Sequence, residues 1–122
     1  MKMPISEILD RYTITRLKAE RSGEDVTEEL FAYRTEIENN YSDKKINEFI
    51  KRLYNINGKL WDTEGDIRNG KDLPLEGIGR LALKVRDLNC ERNSIKAEIV
   101  EEFSEGFKEI KINYRKVNYG RN

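Results

Sequence analysis

Arginines, lysines and one tryptophan stand beside the apolar positions of this chain in a pattern that could hold an anion. Arg68, Arg86, Arg92 and Lys96 accompany Trp61, and Arg11, Lys18 and Arg21 join them from nearer the start. A guanidinium fork grips phosphate or carboxylate through two parallel hydrogen bonds, and an indole offers a flat surface to a base or sugar. The bland reading is a set of solvated helix faces, which is what charge runs on helices usually are. Three i,i+4 pairs bear on it. Glu64 with Arg68 is attractive, whereas Asp87 with Glu91 and Arg92 with Lys96 set like charges together. Exposed pairs contribute only about 0–1 kcal/mol, so stability alone does not call for this arrangement.

Carboxylates offer a second chemistry. Asp62 and Asp66 flank Glu64, Glu7 and Asp10 lie near the start, and Glu98 and Glu101 lie further on. Inward carboxylates on facing helices can hold Mg²⁺. The helical nucleoside-triphosphate pyrophosphohydrolases use a Glu-x-x-Glu pair followed by a Glu-x-x-Asp pair in this way. Here the order is reversed, with Glu7-Ile-Leu-Asp10 first and Glu98-Ile-Val-Glu101 last. Mg²⁺-dependent hydrolysis of nucleotides through Asp62, Glu64 and Asp66 is therefore the alternative reading. The chain has no His, which removes thiol–imidazole catalysis and the usual His-containing metal sites. Its single Cys90 has no partner for an internal disulfide, which fits a reducing compartment. No nucleophile or general base stands out, so the leading reading is non-catalytic.

The elements that must carry these groups are helices. With 122 residues the chain has room for one core, and 38% charged against 37% hydrophobic residues suits long solvated helices rather than a sandwich or barrel. Pro4 and Gly23 bound a first helix marked by Ile5, Ile8, Leu9, Tyr12 and Leu17. Asp25-Val26-Thr27-Glu28 reads as a capping box for a second, with Val26, Leu30, Tyr33, Ile37 and Tyr41 at helical spacing. Ser42-Asp43 opens a third, in which Ile46, Phe49, Ile50, Leu53, Ile56, Leu60 and Ile67 run to the stop at Asn69-Gly70. Gly58 and Gly65 inside it signal either local weakness or the close approach of another backbone. Past Pro74 a fourth helix reaches about Phe103, with Ile78, Leu81, Val85, Leu88, Ile95 and Ile99 in a near-heptad stripe. The short link makes the third and fourth helices an antiparallel hairpin, placing Asn57 near Leu88, with a polar belt crossing at mid-height.

The predicted fold is thus all-α: a long antiparallel helical hairpin with two shorter packed helices. Residues 1–103 form the helical domain, and residues 104–122 form a basic C-terminal arm, strand-like or flexible, in which Ile110, Ile112 and Tyr114 alternate with polar residues. Lys plus Arg equals Asp plus Glu at 23 each, so the overall field gives no pull toward nucleic acid or an anionic membrane. Aromatic residues and cations in the arm could contact nucleic acid, but the balanced charge speaks against that partner. No apolar run approaches the roughly 20 residues of a membrane span, and the start lacks a secretory core, so a cytoplasmic protein is expected.

Three motifs carry a resemblance. They are Ser6-Glu7-Ile8-Leu9-Asp10-Arg11 with Thr13-Ile14 and Lys18-Ala19-Glu20-Arg21; Leu60-Trp61-Asp62-Thr63-Glu64-Gly65-Asp66-Ile67-Arg68; and Leu88-Asn89-Cys90-Glu91-Arg92 with Ile95-Lys96. In these the chain resembles a small helical family of unknown function, encoded in bacteria and often near glycosyltransferase genes. It departs at Gly65 and Cys90, where members tend to carry a second acidic residue, and in the tail from Gly106. The resemblance implies an all-helical domain with a polar cluster built from the three motifs, and no established reaction.

Residues and resemblance together lead to non-catalytic binding of a small anionic ligand, a nucleotide, cyclic nucleotide or nucleotide-sugar. Arg11, Lys18, Arg68, Arg92 and Lys96 are the expected anion contacts, Trp61 the stacking surface, and Glu64 and Asn89 the groups that orient them. No cofactor is expected, with Mg²⁺ entering only under the hydrolase alternative. The small size and the Lys, Asn, Ile and Glu content suit a phage-type accessory or sequestering protein. A third reading is a helical protein-interaction module, and the apolar stripe predicts a homo-oligomer, in the first instance a dimer.

Overall fold

The computed structural model describes residues 3–40, 44–70 and 73–103, and these form four helices with no strand among them. They are α1 (Ile5–Ser22), α2 (Thr27–Asn40), α3 (Lys44–Asn69) and α4 (Leu75–Phe103). The expected basic arm, with Tyr41, Ser42 and Asp43, lies outside the described residues.

Local chemistry sets most of the boundaries. Pro4 caps α1 from outside the helix, and its carbonyl accepts the amides of Glu7 at 3.0 Å and Ile8 at 3.1 Å. Pro74 does the same for α4, accepting from Gly77 and Ile78. In both cases the ring, which has no amide to donate, sits where no amide is needed. At the other end of α1, Gly23 takes φ +66° and returns its amide to the Lys18 carbonyl, a left-handed conformation that glycine enters without the clash a Cβ would make. Asp25 opens α2 by accepting the Thr27 amide and hydroxyl on one carboxylate oxygen.

Helical period then decides what is buried. Ile46, Phe49, Leu53, Ile56 and Leu60 of α3, Leu88, Ile95 and Ile99 of α4, Ile5, Ile8 and Leu9 of α1, and Ile37 of α2 belong to one core. Phe49 and Phe103 close one end edge-to-face, with centroids 6.1 Å apart. Lys45, near the start of α3, bonds Glu102 near the end of α4, and Arg52 forks onto Glu98, so the two long helices run in opposite senses. Helix α1 packs against all three other helices, whereas among the described elements α2 packs against α1 alone. Every buried residue of α4 lies at or beyond Leu88. The first half of that helix, with the end of α3, therefore stands clear of the main core. No described helix is long and apolar enough to cross a membrane.

Candidate functional site: a polar node around a buried carboxylate

Asp10 is buried in the middle of α1, 1% exposed, among aliphatic neighbours. An ionised carboxylate there must find partners from other helices, and it finds them on α3 and α4. One of its oxygens accepts Asn57 Nδ2 at 2.9 Å and Arg92 Nε at 3.0 Å, and the other accepts the second arm of the Arg92 fork. Lys96 Nζ stands 3.8 Å from that second oxygen and bonds directly to Glu7, one turn earlier on α1. Asn57 also donates to Thr13 Oγ1 at 2.9 Å, and Thr13 in turn donates to the Asp10 carbonyl. No buried side-chain donor or acceptor among the described residues is left without a partner.

Burial pushes the Asp10 carboxyl up, but the hydrogen bonds from Arg92 and Asn57 and the charges of Arg92 and Lys96 outweigh it and hold the group below its ordinary value. For Arg92 the Asp10 hydrogen bond is the leading influence; burial opposes it, the charges of Asp10, Glu7 and Glu64 add to it, and the guanidinium is held more firmly protonated. Arg92 and Lys96, a like-charged pair when read along one helix, are thus reconciled by carboxylates on another.

Three stripes converge on this node. On α1 the stripe is Glu7, Arg11, Ile14 and Lys18; on α3 it is Asn57, Trp61, Glu64 and Arg68; on α4 it is Asn89, Arg92 and Lys96, each at alternating three- and four-residue steps that keep one face. Helix α1 meets α4 at Glu7 and Asp10. Toward its C-terminus it leans on α3, with Leu17 and Arg21 against Gly58 and Arg21 paired to Asp62. Gly58 faces this contact, although a Cβ there would meet Arg21 and Leu17 only at ordinary van der Waals distances. The side-chain bonds of Asp10 and Glu7 join α1, α3 and α4 at this node, and the three stripes run along these helices from it.

All eight residues expected to contact a ligand lie on these stripes, and they differ in what they are free to do. Arg92 and Lys96 are committed to Asp10 and Glu7. Arg11 is exposed and loosely paired, 3.7 Å from Glu7. Lys18 and Arg68 have no ion pair with any described residue, and the expected Glu64–Arg68 bridge is not formed. Trp61 and Asn89 are half-buried, and Glu64 is exposed. The acidic trio Asp62, Glu64 and Asp66 does not gather, since two-residue steps turn Glu64 to the side of α3 away from the others. Among the described residues no three metal-ligating side chains come together, and Asp62 is taken by Arg21.

Sequence reasoning did not place Asp10, Asn57 and Thr13 at the centre. Asp10 is visible there as half of a Glu7/Asp10 pair and as part of the first of the three motifs, and Asn57 as a residue of the polar belt expected across the hairpin near Leu88. Other grooves lie elsewhere on the molecule. One of about 450 Å³ runs between α3 and α4, lined by Arg52, Ile56, Lys59, Cys90, Ser94 and Glu98, and none of the eight expected residues lines it. No family model, no curated protein and no solved structure matches the chain.

Proposed function

We propose that the chain binds a small anionic ligand of the nucleotide, cyclic nucleotide or nucleotide-sugar class at the polar node around Asp10, without catalysing a reaction on it. The observation that carries this is the local charge. The three stripes with Asp10 bear five cations, Arg11, Lys18, Arg68, Arg92 and Lys96, against three carboxylates, Glu7, Asp10 and Glu64, in a chain whose total charge is zero. Asp10 and Glu7 hold Arg92 and Lys96 in place, and Lys18 and Arg68, on the same stripes, have no ion pair with any described residue. Trp61, between Asn57 and Glu64 on the same face, supplies a stacking surface. Among the described residues the one deeply buried carboxylate, Asp10, is saturated with donors and kept ionised, which suits it to positioning arginine rather than to moving a proton.

Thermal unfolding against nucleotides, nucleotide-sugars and cyclic dinucleotides, with and without Mg²⁺, tests the reading. A ligand at a hundred times its dissociation constant adds about 2.7 kcal/mol of stability. The expected result is a metal-independent rise in Tm that disappears in Lys18→Ala and Arg68→Ala. Both variants should retain the stability of the unliganded protein within about 0.5 kcal/mol. Arg92→Ala is the wrong variant here, because it strands Asp10. A rise that requires Mg²⁺, or no rise with any ligand class, would overturn the proposal.

A further inference from the structure

Two grooves meet on the face of the hairpin where α3 and α4 lie side by side. The groove of about 450 Å³, with buried Ile56 and Ile95 beneath it and Cys90 at its far end, shares Ser94 and Glu98 with a second of about 570 Å³, lined by Phe49, Ala97, Glu101 and Glu102. Together they make one furrow from mid-hairpin to the end of α4. Its charge is one-sided. Glu91, Glu98, Glu101 and Glu102 line it against Arg52 and Lys59, and with Lys45, which bonds Glu102, counted in, the carboxylates still outnumber the cations. Helix α4 has no basic residue in its last turn, where a helix end attracts cations. The chain that follows has the opposite sign: residues 104–122 hold Lys108, Lys111, Arg115, Lys116 and Arg121 against Glu105 and Glu109.

We infer that residues 107–114 turn back and lie in this furrow as an extended strap, antiparallel to α4. The segment starts just past Phe103, at the acidic end of the furrow, so it competes for the seat at the high effective concentration of a short tether. Ser104-Glu105-Gly106, between helix and strap, are residues that suit a turn. From Glu102 back to Cys90 the furrow runs about 18 Å at 1.5 Å per residue, which is the reach of roughly five to six extended residues. With Phe107 level with Glu102, Ile112 arrives beside Cys90. Lys108, Ile110 and Ile112 fall on one side of an extended chain, and Lys111 and Asn113 on the other. One cation followed by two isoleucines is the order the furrow asks for: first the carboxylates Glu98 and Glu101, then the apolar floor at Ile95 and Ile56.

Seated there, the strap brings positive charge to the C-terminal end of α4, closes the groove to outside ligands and covers the Cys90 thiol. Arg92 and Lys96 lie on another side of α4, so the strap leaves the Asp10 node open and the inference does not rest on the ligand reading.

Cys90 is the single thiol of the chain, so its rate of labelling by N-ethylmaleimide in the full-length protein reads the strap directly. Lys108→Glu and Ile110→Asp should each speed labelling by about tenfold, as for a seat otherwise filled about nine-tenths of the time, with the circular dichroism of the helices unchanged. Both substitutions bring negative charge toward the thiol, which by itself slows the reaction by raising the thiol pKa, so acceleration reports uncovering. Register is tested by a second cysteine. Under mild oxidation Ile112→Cys should form a disulfide with Cys90 within one chain about tenfold faster than Asn113→Cys, whose side chain leaves the opposite face of the strap; an unseated segment would link both at similar rates. Labelling that neither substitution accelerates would overturn the strap. Equal rates of linking at 112 and 113, or a link formed between two chains, would overturn its seat in this furrow.

Discussion

Asp10 accepts from two helices while standing on a third, so its removal should be felt by all of them. Truncating one member of a buried charge pair usually costs about 3–5 kcal/mol, because the other charge is stranded. Arg92 keeps 26% of its side chain exposed and can still reach water, so Asp10→Ala is expected toward the lower end, about 2–4 kcal/mol in urea unfolding. Replacing Asp10 and Arg92 together by leucine should recover much of that loss, and the double-mutant cycle would measure the coupling. The same residue predicts a pH effect. Its folded pKa lies below its ordinary value of 3.8, so its stabilisation is complete above that value and is lost as pH falls toward the lower folded one. Asp10→Asn should therefore flatten the stability curve below about pH 4, the range where the unfolded chain takes up the proton first. Little of this node was legible in the sequence. The 82 positions between Asp10 and Arg92 leave no periodic trace, because the pairing belongs to how α1 crosses the hairpin and not to any one helix.

The helices themselves were far more legible, since what begins and ends them is local. Pro4, Gly23, Asp25, the Asn69-Gly70 stop and Pro74 each act through their own backbone or the next turn, and the observed boundaries fall at or beside them. What the chain order alone left open at this scale was the meaning of the interior glycines. A Cβ placed on Gly58 would meet Arg21 Nη2 at 3.5 Å and Leu17 Cδ2 at 3.9 Å, ordinary contacts with side chains. Gly58→Ala should thus gain helix propensity, up to about 0.5–1 kcal/mol, without separating α1 from α3. Gly58→Leu should wedge them apart and reverse the sign in the same denaturation assay. Gly23→Ala acts differently. Nothing lies within 4 Å of the added carbon, so its cost is that of forcing an L-residue to positive φ, about 1–2 kcal/mol.

Across the whole molecule, cohesion is uneven. Among the described elements α2 leans on α1 alone, with Ile37 buried within it and Val26 buried just before it, whereas α1, α3 and the second half of α4 share the core and the polar node. Amide hydrogen exchange should therefore release α2 and the first two turns of α4 well before α1 and the middle of α3. The two links from α1 to α4, Asp10 with Arg92 and Glu7 with Lys96, span 82 and 89 positions, and they have a consequence for how the chain is made. During synthesis the first helix emerges long before the last, so Asp10 and Glu7 wait in water for cations not yet translated. Loop closure of that length must occur before those bonds can form. The nascent chain can complete its hairpin only once α4 has emerged, and the seam between α1 and α4 must wait for the same moment.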